Sequence, residues 1–464
     1  MTQKLTEERA PERLADLGVA PLVAICAGYF MVILDAMIVN VALPSIGREL
    51  RASVAGLQWV TAGYTLVFAG LLLSAGTLGD RYGPKRVLQT GLAVFTLAST
   101  ACGLAPSTAI LVAARLLQGL GAALMVPASL ALLQAAYPDR AARARAFGIW
   151  GGVAGIAAAS GPILGGVLIA GLGWRAIFFV NVPFGLAGMV LTARSVPAPG
   201  GRRRALDLPA QVLGVVALGA LTAALIEAGP LGWSSPAVLA GFGVAAVAGV
   251  AFVAAERAAT APMLPLRFFA NHTFSAANAV GLLINFGFYG QLFVATLYFQ
   301  DIKGYSALLT GLALLPEGIT VSGGSFVSGR IMARTGPRVP MIAGLALGGL
   351  GLLGWLSTGP HSAYAVLVVP LLAAGLGMSL TMPAATTAVM SSAPADRAGM
   401  ASGVVNTARQ VGGALGVALL GTLVSHRGNF IPGLHMAVVI GGAAFLLGCA
   451  LSVAFVERLK PRPA

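Results

Sequence analysis

Apolar stretches of roughly 18–25 residues recur along the whole chain, each long enough to cross a ~30 Å hydrocarbon layer as a helix. They cover 19–41, 55–78, 87–105, 108–133, 146–170, 176–194, 210–228, 236–256, 273–300, 308–332, 340–357, 362–388, 400–425 and 434–457. The pattern predicts an all-α integral membrane protein with fourteen transmembrane helices and a tight turn around Pro106. The longest polar linker, 195–209, contains PAPGGRRRALDLP and reads as a basic joint. Residues 1–17 are polar, and the apolar run after them is too long for the core of a signal peptide. It is expected to stay as the first span.

Composition agrees with the pattern. Only 9% of the 464 residues are charged and 57% are hydrophobic, whereas a soluble domain carries about 25% charged residues. That excludes an ordinary soluble enzyme, a disordered chain and a collagen. Sixty-two glycines suit helices that pack closely in lipid. The net charge of +14 raises nucleic acid or anionic lipid as partners, and position decides between them. With the N-terminus on the cytoplasmic side, 22 of the 29 Lys and Arg residues fall on that side. Arg48, Arg51, Arg175, Lys303 and Arg427 fall outside, and Arg115 and Arg409 lie within spans. This skew is the positive-inside pattern, and it supports the span count, since one missed helix would invert every later loop. Topology therefore explains the charge, and no nucleic-acid partner is expected. Cys26, Cys102 and Cys449 lie in apolar stretches without CxxC spacing, and the four histidines are scattered. Neither a metal nor a disulfide is expected.

The sequence repeats itself. GTLGDRYGPKR (Gly76 to Arg86) returns as GRIMARTGPR (Gly329 to Arg338), shifted by 253 residues, and GLGAALMVPA (Gly119 to Ala128) returns as GLGMSLTMPA (Gly375 to Ala384), shifted by 256. Both offsets move a span by eight. The expected organisation is a six-helix bundle over 19–194, two inserted helices over 210–256, and a second six-helix bundle over 273–457. Linkers at 195–209 and 257–272, an N-terminal segment 1–18 and a tail 458–464 are expected on the cytoplasmic side. An even shift keeps both bundles in one orientation, the parallel repeat of a transporter.

At these motifs the chain resembles the major facilitator superfamily, and within it the fourteen-span drug:proton antiporters of bacteria. GTLGDRYGPKR is similar to the loop signature between spans 2 and 3, and LDAMIVNVALPSI (Leu34 to Ile46) to the span-1 signature of fourteen-span exporters. RLLQGLGAA (Arg115 to Ala123) resembles the span-4 motif, GIAAASGPILGG (Gly155 to Gly166) the antiporter motif of span 5, and WRAIFFVNVPFG (Trp174 to Gly185) a further stretch typical of the group. The resemblance implies that Gly76, Asp80, Arg81, Gly83, Lys85 and Arg86 latch the two halves in the outward-facing state. It also links Gly155, Gly161, Pro162, Gly165 and Gly166 to antiport.

The residues that carry chemistry are those that lipid penalises. Asp35 lies in span 1, about 10 Å below the outer boundary at ~1.5 Å per residue. A buried carboxylate costs several kcal/mol unless it is paired, protonated or beside water, which suits reversible protonation. A structural hydrogen bond is the alternative. Arg115 of span 4 lies at a similar depth, so contact with Asp35 is expected. Arg115 either couples to the proton on Asp35 or only holds backbone carbonyls of span 1. Glu317 of span 10 is a second proton site, a contact for cationic substrate, or a wall carboxylate without a coupling role. Glu227, near the interface, is read as structural. Arg409 of span 13 either lines the cavity or pins neighbouring backbone. Asn40, Gln58, Trp59, Tyr64, Asn278, Asn285, Tyr289, Gln291 and Asn406 are polar groups that either contact substrate or glue helices. The spacings Gly151/Gly155 and Gly161/Gly165 predict close helix approach, and Pro162 a kink.

Two other motifs lead nowhere. Gly349, Gly351 and Gly354 match GxGxxG inside an apolar span with no strand before it, and no phosphate-binding lysine loop occurs anywhere. The expectation is a proton-coupled exporter, without cofactor, for hydrophobic drug-like molecules of cationic or neutral charge. It would be a monomer in a bacterial plasma membrane with both termini cytoplasmic. A dedicated exporter of a self-made antibiotic, siderophore or lipid is the alternative. A membrane enzyme lacks a clustered nucleophile or metal set here, and a receptor lacks a sensory domain.

Overall fold

The computed structural model describes residues 19–137, 139–198, 207–259, 262–264, 266–393, 398–425 and 430–458. Among them there is no strand. Sixteen α-helices follow in order: α1 Val19–Leu50, α2 Val54–Tyr82, α3 Pro84–Gly103, α4 Thr108–Ala136, α5 Arg140–Leu172, α6 Ala176–Phe179, α7 Asn181–Ser195, α8 Leu208–Leu231, α9 Pro236–Ala258, α10 His272–Leu297, α11 Ala307–Ala313, α12 Leu315–Thr335, α13 Arg338–Gly354, α14 Ala365–Ser392, α15 Ala398–Leu423 and α16 Phe430–Phe455. Eleven helical segments are long and apolar enough to cross a membrane, with Ala176–Ser195 counted as one, and the pair α11–α12, bent by 41°, makes a twelfth. The two long helices outside that set, α3 and α15, are diluted by polar residues: Lys85, Arg86 and Gln89 in one, Asn406, Arg409 and Gln410 in the other. The terminal segment 1–18, most of the linker at 195–209 and all but the first residue of the tail at 458–464 lie outside the described residues. So do Arg397 and Arg427.

Local chemistry starts and stops the helices. Ser53, Ser107, Asp139, Asp207, Asn271 and Ser306 each accept a backbone N–H three residues on, satisfying one of the donors a helix start leaves free. The α2–α3 turn runs through Gly83 at φ +89° and the α12–α13 turn through Gly336 at φ +78°, a region where a side chain is strained. The two turns are the repeat noticed in the sequence, and one bond repeats with them. Lys85 Nζ donates to Ala193 O of α7 at 2.9 Å, and Arg338 donates to Val453 O of α16.

Packing repeats as well. In the first half α1 packs on α4, α5 and α7, α4 packs on α2 and α3, and α3 on α7. In the second, α10 packs on α14, α15 and α16, α14 packs on α12 and α13, and α13 on α16. Between the halves α2 meets α15, α5 meets α11 and α12, and α1 meets α10. The pair α8–α9 attaches through α8 to α2 and α15.

The two ends of this assembly differ. At the end holding the α1–α2 and α10–α11 connections, here the far end, one apolar core joins both halves, with Ile38, Leu43, Leu57 and Val60 packed among Leu292, Phe293, Val417 and Leu420. Gln58 Nε2 donates across that end to Val417 O at 3.0 Å and Ala418 O at 2.6 Å, and Gln300 Nε2 to Val41 O at 2.8 Å. At the near end, where α1 begins, the core divides in two. One cluster holds Leu88, Phe95 and Met125, the other Phe274, Met341, Val389 and Phe445. The fold is sealed at the far end and parted at the near end.

Candidate functional site

Asp35 and Arg115 meet. Both are buried, and Arg115 Nη1 donates to Asp35 Oδ2 in an ion pair. The remaining capacity of the pair is filled by neutral groups. Arg115 Nε donates to Val60 O at 3.0 Å and Nη1 to Gln118 Oε1 at 2.6 Å. Gln118 Nε2 donates to Asp35 Oδ1 and to Ser99 Oγ, both at 2.8 Å, and Asn181 Nδ2 donates to Asp35 Oδ1 at 3.1 Å. The guanidinium lies over the Tyr64 ring, 4.2 Å from its centroid. A buried ion pair is tolerated only when such extra bonds offset desolvation, and here α2, α4 and α7 supply them to the pair, with Ser99 of α3 holding Gln118. Asp35 thus points into the interior of the first half rather than toward the seam between the halves. Sequence reasoning missed Gln118, Ser99 and Asn181. Gln118 is one helical turn beyond Arg115, and Asn181 lies inside WRAIFFVNVPFG.

Glu317 sits on α12 in the second half, buried, with neither carboxylate oxygen hydrogen-bonded. Gln291 of α10 lies beside it and is itself buried. No Lys or Arg among the described residues forms an ion pair with Glu317. Applying the repeat offsets of 253 and 256 puts Tyr64 under Glu317, Asp35 under Gln291 and Arg115 under Leu371. The second half therefore has a neutral amide where the first has Asp35 and a leucine where it has Arg115, and its buried acid, Glu317, stands at the place of Tyr64.

The other polar span residues separate into three groups. Asn40, Asn278, Asn285 and Asn406 each donate to a carbonyl four residues back in their own helix. Gln58, Trp59 and Tyr64 are engaged between helices: Gln58 clamps α15, Trp59 Nε1 donates to Glu227 Oε1 at 3.1 Å, and Tyr64 OH donates to Val32 O at 3.3 Å. Glu227 thus ties the inserted α8 to α2. At the seam, Tyr29 and Trp150 stack with centroids 3.7 Å apart, and Tyr289 and Arg409 come from the opposite half. Arg409 Nη1 donates to Asn406 Oδ1 at 3.3 Å, while its Nε has no partner.

The antiporter-motif glycines also divide. A Cβ at Gly161 would sit 2.5 Å from Met37 Cβ, one at Gly165 2.9 Å from Ile38 Cγ1, and one at Gly166 2.7 Å from Leu308 Cα. This is close approach of α5 to α1 and α11, with Pro162 inside the helix. Gly151 and Gly155 differ from expectation, because an added Cβ there would meet nothing within 4 Å. Their Cα–H faces point into open space, although Ser322 Oγ of α12 donates to Gly155 O at 3.1 Å. In the 76–86 segment, Gly76 faces Pro127, Asp80, Arg81 and Arg86 are exposed, and Arg81 lies over Tyr82. A cavity of about 280 Å³ lies where α8 meets α2 and α15, lined almost wholly by apolar side chains such as Leu73, Leu218, Phe252 and Val404.

Two like-packed halves of membrane helices, a charged pair sealed in one of them and a seam open at one end define a multi-pass membrane transport protein. Residues 25–417 match the family model described as Major Facilitator Superfamily. The chain is 43% identical over 405 residues to the Multidrug resistance protein Stp of Mycobacterium tuberculosis, covering 87% of this chain and 75% of that protein. It is 36% identical over 441 residues to the Methylenomycin A resistance protein of Bacillus subtilis, covering 95% of each. It is 39% identical over 418 residues to the Tetracenomycin C resistance and export protein of Streptomyces glaucescens, covering 89% of this chain and 77% of that one. The chain belongs to the Major Facilitator Superfamily, and these relatives are bacterial resistance exporters rather than enzymes.

Proposed function

We propose that this protein is a proton-coupled antiporter of a bacterial plasma membrane that exports hydrophobic, drug-like compounds by alternating access. The observation that carries the reading is the sealed Asp35–Arg115 pair. Removing one charge from a buried pair leaves the other uncompensated at a cost of about 3–5 kcal/mol. A proton arriving on Asp35 removes one charge in that sense. Arg115 keeps Val60 O, Gln118 and the Tyr64 face, so the stress falls on the packing of α1 against α3, α4 and α7. Such an energy is large enough to move a two-state bundle. Because Asp35 points away from the seam, coupling runs through helix packing rather than through contact with substrate.

Counting α3, α15 and the bent pair α11–α12 as spans gives fourteen, with residues 19–194 and 273–457 as the two moving bundles and 210–256 as an attached pair. The Lys and Arg skew supports a cytoplasmic near end with both termini on that side, a reading in which the open end of the seam faces inward. In that state the 76–86 segment is a released latch, with Lys85 held by α7 of its own half. Glu317 is a second protonatable site. The glycines of α5 form a seam that seals the outer side against leakage. A narrower reading, export of an endogenous antibiotic, is favoured by relatives named for resistance to single compounds.

The test uses proteoliposomes with a pH-sensitive dye inside and an imposed pH gradient. Substrate movement is expected to stop when the gradient is collapsed, and Asp35→Asn is expected to bind substrate without moving protons. Export that continues undiminished after collapse of the gradient overturns the proposal.

A further inference from the structure

The charges inside the membrane do not cancel where substrate would pass. Asp35 and Arg115 neutralise each other inside the first half. Arg409 is at the middle of α15, and no carboxylate among the described residues lies within ion-pair distance of it. Among the described residues its one hydrogen-bond partner is a neutral amide, and its Nε–H has none. A cation held in a membrane protein without a counter-charge marks a functional position by default, because the site bears its desolvation for a reason other than stability.

The surroundings of Arg409 are aromatic and come from both halves. Its stem lies against Gly281 of α10 at 3.5 Å from where a Cβ would be. Tyr289, one turn along α10 from Asn285, packs against Gly413, one turn beyond Arg409 on α15. Tyr29 of the first half is within electrostatic reach of the same guanidinium, as is Tyr289. Tyr29 is stacked on Trp150 with only 4° between the ring planes, and Trp150 Nε1 donates to Ser129 Oγ at 3.2 Å, which fixes a flat aromatic face. Guanidinium forks pair carboxylates in two parallel bonds and stack on π faces. Among the described residues, carboxylates without an ion pair lie elsewhere: Glu317 beside Gln291, Glu227 on Trp59 and Glu256 on Leu264 N.

We infer that the seam between the halves is a binding site for planar aromatic molecules bearing a carboxylate or an ionised phenol, with Arg409 as the anion anchor and Tyr29, Trp150 and Tyr289 as the stacking walls. The inference rests on the export reading above and departs from the cationic or neutral substrate that the sequence led us to expect.

Three probes of one shape separate the possibilities: 9-anthracenecarboxylate, 9-anthracenecarboxamide and 9-(aminomethyl)anthracene. Binding to the purified protein in nanodiscs is read by energy transfer from tryptophan to anthracene, with Trp150→Phe as the assignment control. The carboxylate is expected to bind at least about tenfold more tightly than the other two. Arg409→Gln is expected to erase that preference, and Arg409→Lys to keep part of it. Equal affinities for the three probes in the unsubstituted protein overturn the inference without any variant, as does a carboxylate preference that survives Arg409→Gln. Proton release and gradient-driven flux in proteoliposomes are measured separately. Flux of the amine or amide alone overturns the anion assignment and leaves proton-coupled export standing. Carboxylate flux indifferent to the pH gradient overturns the coupling and leaves the anion site standing.

Discussion

Gly166 offers the sharpest test of alternation, because its substitution acts only where the two halves touch. In the far-end seam a methyl group on Gly166 would stand 2.7 Å from Leu308 Cα and 3.1 Å from Ala307 O. Carbon atoms in contact need about 3.5–4.0 Å, so Gly166→Ala obliges α5 and α11 to part by about 1 Å. Neither obstacle can rotate away, since both are backbone atoms. Overpacking of this kind costs about 1–3 kcal/mol, and the cost falls on the state in which this seam is closed. Under the proposed alternating access, α11 moves off α5 in the opposite state and the methyl group is freed. The equilibrium should therefore move about 5- to 150-fold toward the outward-open state. Spin labels at Arg51 and His361, exposed at the far end of opposite halves, report the change by double electron–electron resonance. The short-distance population is expected to fall and a longer one to appear, with substrate export reduced. An unchanged distance distribution in a folded Gly166→Ala protein would refute the reasoning, because the seam would then not be the surface that opens.

Other expectations follow from the buried polar groups. Arg115→Gln leaves a sealed carboxylate without its cation and is expected to cost about 3–5 kcal/mol, read as a large drop in the melting temperature of the solubilised protein. Glu317→Gln removes a charge that no cation compensates, so the melting temperature is expected to hold or rise while proton uptake per substrate falls. Gln58→Leu deletes the clamp onto Val417 O and Ala418 O at about 1–3 kcal/mol. The spin-label pair should detect it as a looser far end, and an unaltered distribution would deny Gln58 that role.

What the sequence made legible was whatever depends on depth and on repetition. The equal depth of Asp35 and Arg115 foretold their contact, and the repeated Gly83 and Gly336 turns foretold two halves with the same packing. What it hid was direction around each helix axis. These helices are apolar on nearly every side, so no polar stripe marks the face that turns inward. For Gln58 and Trp59 the sequence therefore left substrate contact and helix gluing both open, and in the fold one clamps α15 and the other binds Glu227. The asparagines in the spans satisfy their own backbone, which no spacing reveals. Gln118, Ser99 and Asn181 escaped notice because a neutral amide or hydroxyl in a span is common, and only the acid beside them gives them meaning. Likewise Gly151/Gly155 and Gly161/Gly165 have the same spacing, but only the second pair turns its bare Cα face onto a neighbouring helix.

The attached pair α8–α9 covers one flank only. It fills the groove where α2 of one half faces α15 of the other, anchored by Gln211 on Gly70 O and by Glu227 on Trp59. The related flank, where α5 meets α12 through Ser322 Oγ on Gly155 O, has no such cover, and an added Cβ at Gly148, Gly151 or Gly152 on α5 would meet nothing within 4 Å. A twofold machine has thereby lost its equivalence of sides. A molecule dissolved in the inner leaflet would find a single doorway, on the glycine-lined flank, and traffic through the protein would be one-sided in the membrane plane as well as across it.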